Sequence, residues 1–176
     1  MANRKRLRFT LRFILALVLI CSLPCWWVGA SISDYQKEAR IVERIDEIAP
    51  DLHVEYEYCG PSWIAAMGWK PKWLYRVKAV DVIGFRSGKT LTMDDIPFEF
   101  DDESFLAIRK DLLRLHELRM LFLWYTKLTD DVVDDLEDFQ NLEVLQLSAC
   151  NNMSNVAAKR LNSKLSNAEI HLPSRE

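Results

Sequence analysis

Hydrophobic and polar residues follow a different period in successive parts of the chain. From Phe13 to Ala30 the chain runs for eighteen residues without a charge, close to the roughly 20 that an α-helix needs to cross the hydrocarbon core of a bilayer. Residues 31–49 place apolar side chains three and four apart among charged ones, which is typical of an amphipathic helix. Its apolar positions are Ile32, Ala39, Val42, Ile45 and Ile48. Residues 52–59, LHVEYEYC, alternate at period two and predict a strand.

Two segments in the second half of the chain begin alike. LRMLFLWYTKLTDDVVDDLEDFQN, residues 118–141, is followed by LEVLQLSACNNMSNVAAKRL, residues 142–161, so the two starts are 24 residues apart. The aligned positions are Leu118, Leu121, Leu123, Thr126, Leu128, Val132, Leu136 and Phe139, then Leu142, Leu145, Leu147, Cys150, Met153, Val156, Leu161 and Leu165. Alternate residues of a strand share one side, so this spacing points the leucines of each strand inward and the residues between them outward. Each unit is predicted to be a short strand followed by a helix.

The turn after each strand has a small polar residue, Thr126 in the first unit and Cys150 in the second. We expect these two side chains to meet backbone groups at the turn. Thr129, followed by Asp130 and Asp131, predicts the start of a helix, because a hydroxyl caps free N–H groups and acidic side chains favour the positive end of a helix.

Weaker matches flank the two units. Residues 77–84 are similar to a degenerate first strand, residues 101–117 to its returning helix, and residues 85–100 form an insertion between them. Ile170 and Leu172 predict a closing strand. The period therefore predicts a short stack of strand and helix units.

The patterns together predict an order of segments along the chain. It runs from a basic N-terminus at 1–12 through a transmembrane signal anchor at 13–30, a juxtamembrane amphipathic helix at 31–49, an N-terminal cap at 50–76 and a repeat domain at 77–172 to a tail at 173–176. The cap contains Trp63, Trp69 and Trp73. We expect it to cover the open end of the stack, because a stack of repeats needs a protected end.

The repeated spacing resembles a known family. LxxLxLxx(N/C/T)xL followed by a helix is similar to the leucine-rich repeat, whose period is about 20 to 29 residues. The basic start RLRFTLRFILALVL, the anchor with tryptophans, the helix ARIVERIDEIA and the strand VEYEY are together similar to the small membrane-anchored leucine-rich-repeat proteins common in planctomycete bacteria. The resemblance implies an α/β fold, with a short leucine-rich-repeat arc of parallel strands and returning helices behind an N-terminal α/β cap. It implies a binding scaffold and no particular activity.

Charge is distributed unevenly and bears on topology. The formal net charge is -3, but five basic residues in the first twelve contribute +5 and leave -8 for the rest of the chain. An excess of Lys and Arg before an apolar span places the N-terminus in the cytoplasm, and Trp26 and Trp27 fall where an outer aromatic belt would lie. We predict a single-pass membrane protein with an extracytoplasmic C-terminal domain. A signal peptide cleaved near Val28-Gly29-Ala30 is the alternative.

The sequence lacks the spacing of common catalytic and metal-binding motifs. GFRSGKT at 84–90 is one residue too short between its glycines for a phosphate-binding loop. The three histidines are far apart, without an HExxH motif. Residues 94–138 hold fourteen Asp or Glu against five Lys or Arg, without the ligand spacing of a calcium loop. A solvated acidic surface is the prediction, and it disfavours nucleic acid. We expect no catalytic residue, cofactor or metal site.

The cysteines leave two arrangements open. Cys59 and Cys150 would both be exported, so an oxidising compartment could join them if they were neighbours. Separate buried thiols are favoured, because Cys150 belongs to a repeat turn and Cys59 to the cap.

The outward side of the first repeat strand is the predicted binding surface. It consists of Met120, Phe122, Trp124, Tyr125 and, from the next strand, Gln146. Aromatic residues and Met are enriched at the cores of protein interfaces. The alternative is that these side chains are covered, either by the insertion, with Phe98 and Phe100, or by the tryptophan-rich cap.

We therefore expect a membrane-tethered module that binds a protein or peptide outside the cytoplasm. A structural envelope component that acts by self-association is the second hypothesis. A hydrolase of envelope polymers is the third, for which the sequence offers only unpaired acidic residues.

Overall fold

The computed structural model describes residues 3–49, 52–82, 100–124, 126–148, 150 and 152–171, with side chains from residue 13 onward. The described part is a mixed α/β structure with one five-stranded sheet and one long N-terminal helix. In chain order, the elements are α1 Asn3–Ile48, β1 His53–Tyr58, α2 Ser62–Ala66, β2 Tyr75–Val82, α3 Asp102–Leu112, β3 Met120–Trp124, α4 Val133–Leu136, β4 Val144–Ser148, α5 Asn155–Lys164 and β5 Glu169–His171. Short 3-10 turns at Lys72–Leu74 and Asp130–Val132 precede β2 and α4.

Helix α1 is continuous over 46 residues and contains Pro24. The apolar segment predicted at 13–30 and the amphipathic helix predicted at 31–49 are therefore parts of one helix. Within the described residues, α1 is the one helix long and apolar enough to cross a membrane, and its apolar window is not buried. Its carboxyl end packs on the domain.

The buried face of α1 differs in part from the predicted one. Ile41, Ile45 and Ala49 are buried in the core, whereas Ala39 is exposed. The apolar spacing correctly predicts a helix with one buried side. It misplaces the centre of that side, because residues four apart at 41, 45 and 49 stack on one face of the helix.

The sheet has the strand order β1-β2-β3-β4-β5. Strands β2 to β5 are parallel, and β1 pairs antiparallel with β2 at the edge. Parallel neighbours need crossover connections, and helices α3, α4 and α5 lie in the segments between successive parallel strands. Strand β2 begins at Tyr75, two residues before the predicted start of the repeat domain.

The inward side of the sheet is a ladder of apolar side chains. The register aligns Val80, Leu121, Leu145 and Ile170 in one row. Leu121 and Leu145 are fully buried, as their spacing in the sequence predicts. Burying a leucine side chain contributes about 1.5–3 kcal/mol, so these rows hold neighbouring strands together.

The turns after the strands match the pattern of small polar residues. Sγ of Cys150 lies 2.9 Å from Oγ1 of Thr126 and donates to the carbonyl oxygen of Leu123 over 3.5 Å. Thr129 caps the helical segment by accepting from the N–H of Asp131 over 3.3 Å. The Thr129 hydroxyl also donates to Asp102 over 2.6 Å, so the cap ties α4 to α3.

The prediction for one aligned position of the second unit, Val156, is wrong. Val156 was expected to be buried like Val132, but it is 79% exposed, and Ala157 and Ala158 are buried instead. Helix α5 is capped by Ser154, which is 25 residues after Thr129, whereas the strands are 24 residues apart. One extra residue in the turn rotates a helix by about 100°, so the buried side begins one residue later.

The insertion and the closing strand lie partly outside the described residues. Residues 85–99 of the insertion and Leu172 of the closing strand are not described. Phe100, which was assigned to the insertion, is fully buried in the core, and its carbonyl oxygen accepts from the Lys127 N–H over 2.8 Å. It therefore belongs to the packed domain. The predicted helix at 101–117 ends at Leu112.

Candidate binding surface

The register builds a row of polar and aromatic residues across the outward side of the sheet. Phe122 on β3 is paired with Asp81 on β2 and with Gln146 on β4. His53 on β1 extends this row at one edge, and His171 on β5 extends it at the other. An aromatic side chain thus lies at the centre of a row with polar ends.

Four of the five predicted surface residues lie together on this side. Met120, Phe122 and Trp124 alternate with buried leucines along β3, and each is half-buried. Gln146 is half-buried on β4 and donates from Nε2 to Oγ of Ser148 over 3.0 Å. Tyr125, the fifth, lies outside the described residues.

Two buried polar atoms on the outward side have no hydrogen-bond partner. Among the described residues, four buried side-chain nitrogen or oxygen atoms are in this state. Two of them, on Arg109 and Glu137, are in ion pairs at 3.0 and 3.1 Å. The other two are Nε1 of Trp124 and Oδ1 of Asp81. An unpartnered buried donor or acceptor costs about 1–3 kcal/mol.

Asp81 also has a strongly shifted pKa. Burial raises the pKa of Asp81 from its ordinary 3.8 to about 6, while the charge of His53 lowers it and that of Glu55 raises it slightly further. The largest cause is loss of water around the carboxylate, which disfavours the charged form. A donor brought to Asp81 by a bound molecule would favour the charged form.

The described part of the cap contacts α1. The ring of Trp73 makes an edge-to-face contact with Trp27 at 5.9 Å between centroids, and with Trp69 at 6.2 Å. Trp63 is exposed, and Phe100 is in the core. Phe98, the other aromatic residue of the predicted cover, lies outside the described residues, so covering of the outward side stays a prediction.

A cavity of about 240 Å³ lies at the amino ends of the parallel strands. It is lined by Glu57, Cys59, Arg76, Lys78, Glu117, Arg119 and Glu143. Lys78 is 2.8 Å from Glu57 and Arg119 is 2.9 Å from Glu143. The third cation of the lining, Arg76, is 3.6 Å from Glu38. All three cations are therefore paired with carboxylates, so the cavity offers an anion little uncompensated positive charge.

The other reactive groups are the thiols of the domain and the side chains that could bind a metal ion. Cys59 is exposed and Cys150 is buried, and both are free thiols. Burial raises the pKa of the Cys150 thiol, against a hydrogen bond with Thr126 that lowers it. In the described ranges, no group of three or more His, Cys, Asp or Glu side chains could hold a metal ion.

Sequence patterns did not predict the two histidines at the ends of the outward row. His53 reaches it because β1 pairs antiparallel with β2, and His171 because the last strand pairs with β4. No short motif in the chain signals either pairing. No protein-family model matches the chain, and no curated protein matches it at a significant level.

Proposed function

We propose that the chain is a membrane-tethered leucine-rich-repeat module that binds a protein or peptide outside the cytoplasm. The outward side of the sheet is the binding surface. The anchor is the apolar part of α1, the N-terminus is cytoplasmic, and the domain that begins near residue 31 is extracytoplasmic.

The repeat assignment rests on the ladder and the turns. Leu121 and Leu145 are neighbours in register, and the Thr126–Cys150 contact links the two turns 24 residues apart. Stacked units with the same inward leucines, joined at their turns, are characteristic of repeat architectures, in which each unit contacts only its neighbours. The layout as a whole resembles the small anchored proteins named above.

The anchor assignment rests on exposure and charge. Side chains from Phe13 to Trp26 are exposed on α1, and unbroken exposed apolar surface on a helix is favourable only in lipid or in a protein interface. Five basic residues lie before this segment, and the rest of the chain is acidic. This asymmetry favours a cytoplasmic N-terminus.

The observation that carries the binding assignment is the group of large side chains on the outward side of β3. Met120, Phe122 and Trp124 are half-buried there and alternate with the buried leucines. Aromatic residues and Met are enriched at the cores of protein interfaces. A protein or peptide is therefore the class of ligand that this side favours.

The test is site-specific crosslinking of the full chain in its native membrane. A photoreactive residue is placed at Met120 or Gln146 on the outward side and, as a control, at Leu106 or Val156, which are exposed on α3 and α5. We expect one and the same protein to be captured from both outward sites and not from the control sites. The double substitution Phe122→Ser with Trp124→Ser should abolish its capture, whereas Leu106→Ser with Val156→Ser should preserve it.

Three results would count against the proposal. Capture of a second copy of this chain from the outward sites would favour the self-associating structural component. Equal capture at outward and control sites would deny any binding surface. If the Phe122 and Trp124 double variant without partner loses several kcal/mol of folding free energy, these side chains are covered within the fold and the outward side is not the binding surface.

A further inference from the structure

Three of the six tryptophans meet where α1 enters the folded domain, and two more are close to them along the chain. They are Trp26 and Trp27 on α1 and Trp63, Trp69 and Trp73 in the cap, and together with Met67 they are called the tryptophan surface below. The exposed fractions are 73% for Trp26, 62% for Trp63, 65% for Met67 and 56% for Trp69. These are large apolar groups to leave in water. Contiguous exposed apolar surface marks a contact with a partner or with a membrane.

Ring contacts hold the cap at the level of one position on α1. Trp27 contacts Trp73, and Trp73 contacts Trp69, both edge to face. Trp27 follows the start of the apolar segment, Phe13, by 14 residues, which is about 21 Å along a helix. Since the segment from Phe13 to Ala30 spans about 27 Å, Trp27 lies near its outer end, and so do Trp73 and Trp69, which its ring contacts connect to it.

The backbone around Gly68 presents the exposed side chains of the cap on both sides of a tight turn. Trp63 is on α2, and Met67, one helical turn later, directly follows the last residue of α2, Ala66. Gly68 has a φ of 76°, a left-handed conformation that favours glycine at the end of a helix. The chain then folds back so that the Trp69 N–H donates to the carbonyl oxygen of Ile64 over 3.4 Å.

The chemistry of this surface fits the headgroup region of a bilayer. An indole ring has an apolar body and one N–H donor, and tryptophan is enriched at membrane interfaces for this reason. Lys70 and Lys72 are exposed in the same segment. A lysine side chain can bury its carbon chain along apolar surface while its ammonium group reaches a lipid phosphate. Exposed tryptophans with adjacent lysines, continuous with an apolar helix, match lipid better than a protein partner.

We propose that the tryptophan surface docks in the outer headgroup region of the same bilayer that α1 crosses, so that the domain is held to the membrane at two places. This inference rests on the proposed anchor. Strand β2 begins at Tyr75, two residues after Trp73, and runs away from the cap tryptophans, and β3 to β5 are parallel to β2. Two-point attachment would stop the domain from rotating about α1, and the strands would rise from the bilayer with the outward side open to a partner.

The test uses the full chain in vesicles of phosphatidylcholine and phosphatidylglycerol. A photoreactive residue is placed singly at Leu19, which is exposed in the apolar segment, at Met67, or at Val156. Val156 follows the far end of β4 and is a matched exposed apolar position. After illumination, mass spectrometry measures lipid adducts at each site. We expect adducts at Leu19 and Met67, with a yield several-fold above that at Val156.

The three positions distinguish failure of the docking from failure of the anchor. Adducts at Leu19 but only background at Met67 would overturn the docking and leave the anchor intact. Background at Leu19 would overturn the anchor and the docking with it. A crosslink from Met67 to a second protein chain instead of lipid would overturn the docking as well.

A matched pair of variants separates docking from mere proximity to lipid. Trp63→Ser with Trp69→Ser removes two exposed rings and should lower the lipid-adduct yield at Met67 several-fold, while the yield at Leu19 stays the same. Leu106→Ser, an exposed apolar position on α3, should change neither yield. Because all three substituted side chains are exposed, unchanged circular dichroism is expected for each variant. An unchanged yield at Met67 in the tryptophan variant would overturn the proposal.

Discussion

The two ends of the sheet are held together in different ways. At the repeat end, residues 118–165, neighbouring strands share the same apolar rows, and Leu121 and Leu145 have no exposed surface. At the amino-terminal end, α1 and β1 meet β2 through contacts that occur once. The carboxylate of Glu38 accepts from the Val77 N–H over 3.3 Å and lies 3.6 Å from the Arg76 guanidinium.

The single contacts at the amino-terminal end close the stack. Strand β1 pairs antiparallel with the edge of β2 that the parallel strands leave open, so β1 is the edge strand at this end of the sheet. Arg76 also donates to the carbonyl oxygen of Ser31 over 3.4 Å, so one side chain joins β2 to two positions of α1. The comparison shows that apolar repetition extends this sheet, whereas contacts that occur once, apolar as well as polar, hold its amino-terminal end.

The largest effect is expected in the apolar rows. Leu121→Ala or Leu145→Ala removes fully buried methyl groups and leaves a cavity, and each should lower the free energy of unfolding by about 2–5 kcal/mol. Urea titration of the full chain in detergent micelles, followed by circular dichroism, measures it. Asp134→Asn is the control: Asp134 pairs with Arg160 on the surface, and exposed pairs contribute about 0.2–1 kcal/mol. Equal, small losses at all three positions would contradict the assigned rows.

An intermediate effect is expected at the junction of α1 and β2. Glu38→Ala leaves the Val77 N–H without its acceptor, so the free energy of unfolding should fall by about 1–3 kcal/mol. Glu38→Gln retains an oxygen for this N–H and should remain within about 1 kcal/mol of the wild type. Glu47→Ala, at an exposed position on the same helix, is the control. A loss for Glu38→Ala no larger than for Glu47→Ala would show that this contact does not stabilise the closed end.

The smallest effect is a pH dependence on the outward side. Because the pKa of Asp81 is raised to about 6 in the fold, the folded state binds more protons than the unfolded state between about pH 4 and pH 6, and stability falls as pH rises through this range. Asp81→Asn should flatten the fall and raise the melting temperature above about pH 6. Glu38, whose pKa burial also raises, leaves a residual slope of the same sign. A variant with an unchanged pH profile of melting temperature would contradict the desolvation of Asp81.

Much of the repeat end could be predicted from local pattern. Alternation placed the leucines of β3 and β4 inward and Phe122 and Trp124 on the opposite side, because successive side chains of a strand point to opposite faces. Thr129 was identifiable as a helix cap by its hydroxyl and the acids after it. Prediction failed at Val156, where one extra residue in a turn changed the rotation of α5 without changing the alternation of β4.

The candidate surface was predictable only in part, because strand alternation is local and strand pairing is not. Met120, Phe122, Trp124 and Gln146 follow from alternation within two strands. The positions of His53 and His171 depend on how the first and last strands pair. Pairing between strands depends on the path of the chain between them, which no local period encodes.

By itself, the sequence determined an apolar helix, the inward side of the repeat strands and the small polar residues at their turns, because each depends on neighbours a few residues away. Only the tertiary structure decided that α1 continues unbroken into the domain, that β1 closes the sheet, and that Trp27 meets Trp73. The contacts of α1 with the domain join residues that are far apart in the chain. Glu38 and Val77 are 39 residues apart, and Trp27 and Trp73 are further apart still. The free energy that selects such contacts comes from packing and desolvation in the assembled fold, so it exists only once the segments have come together.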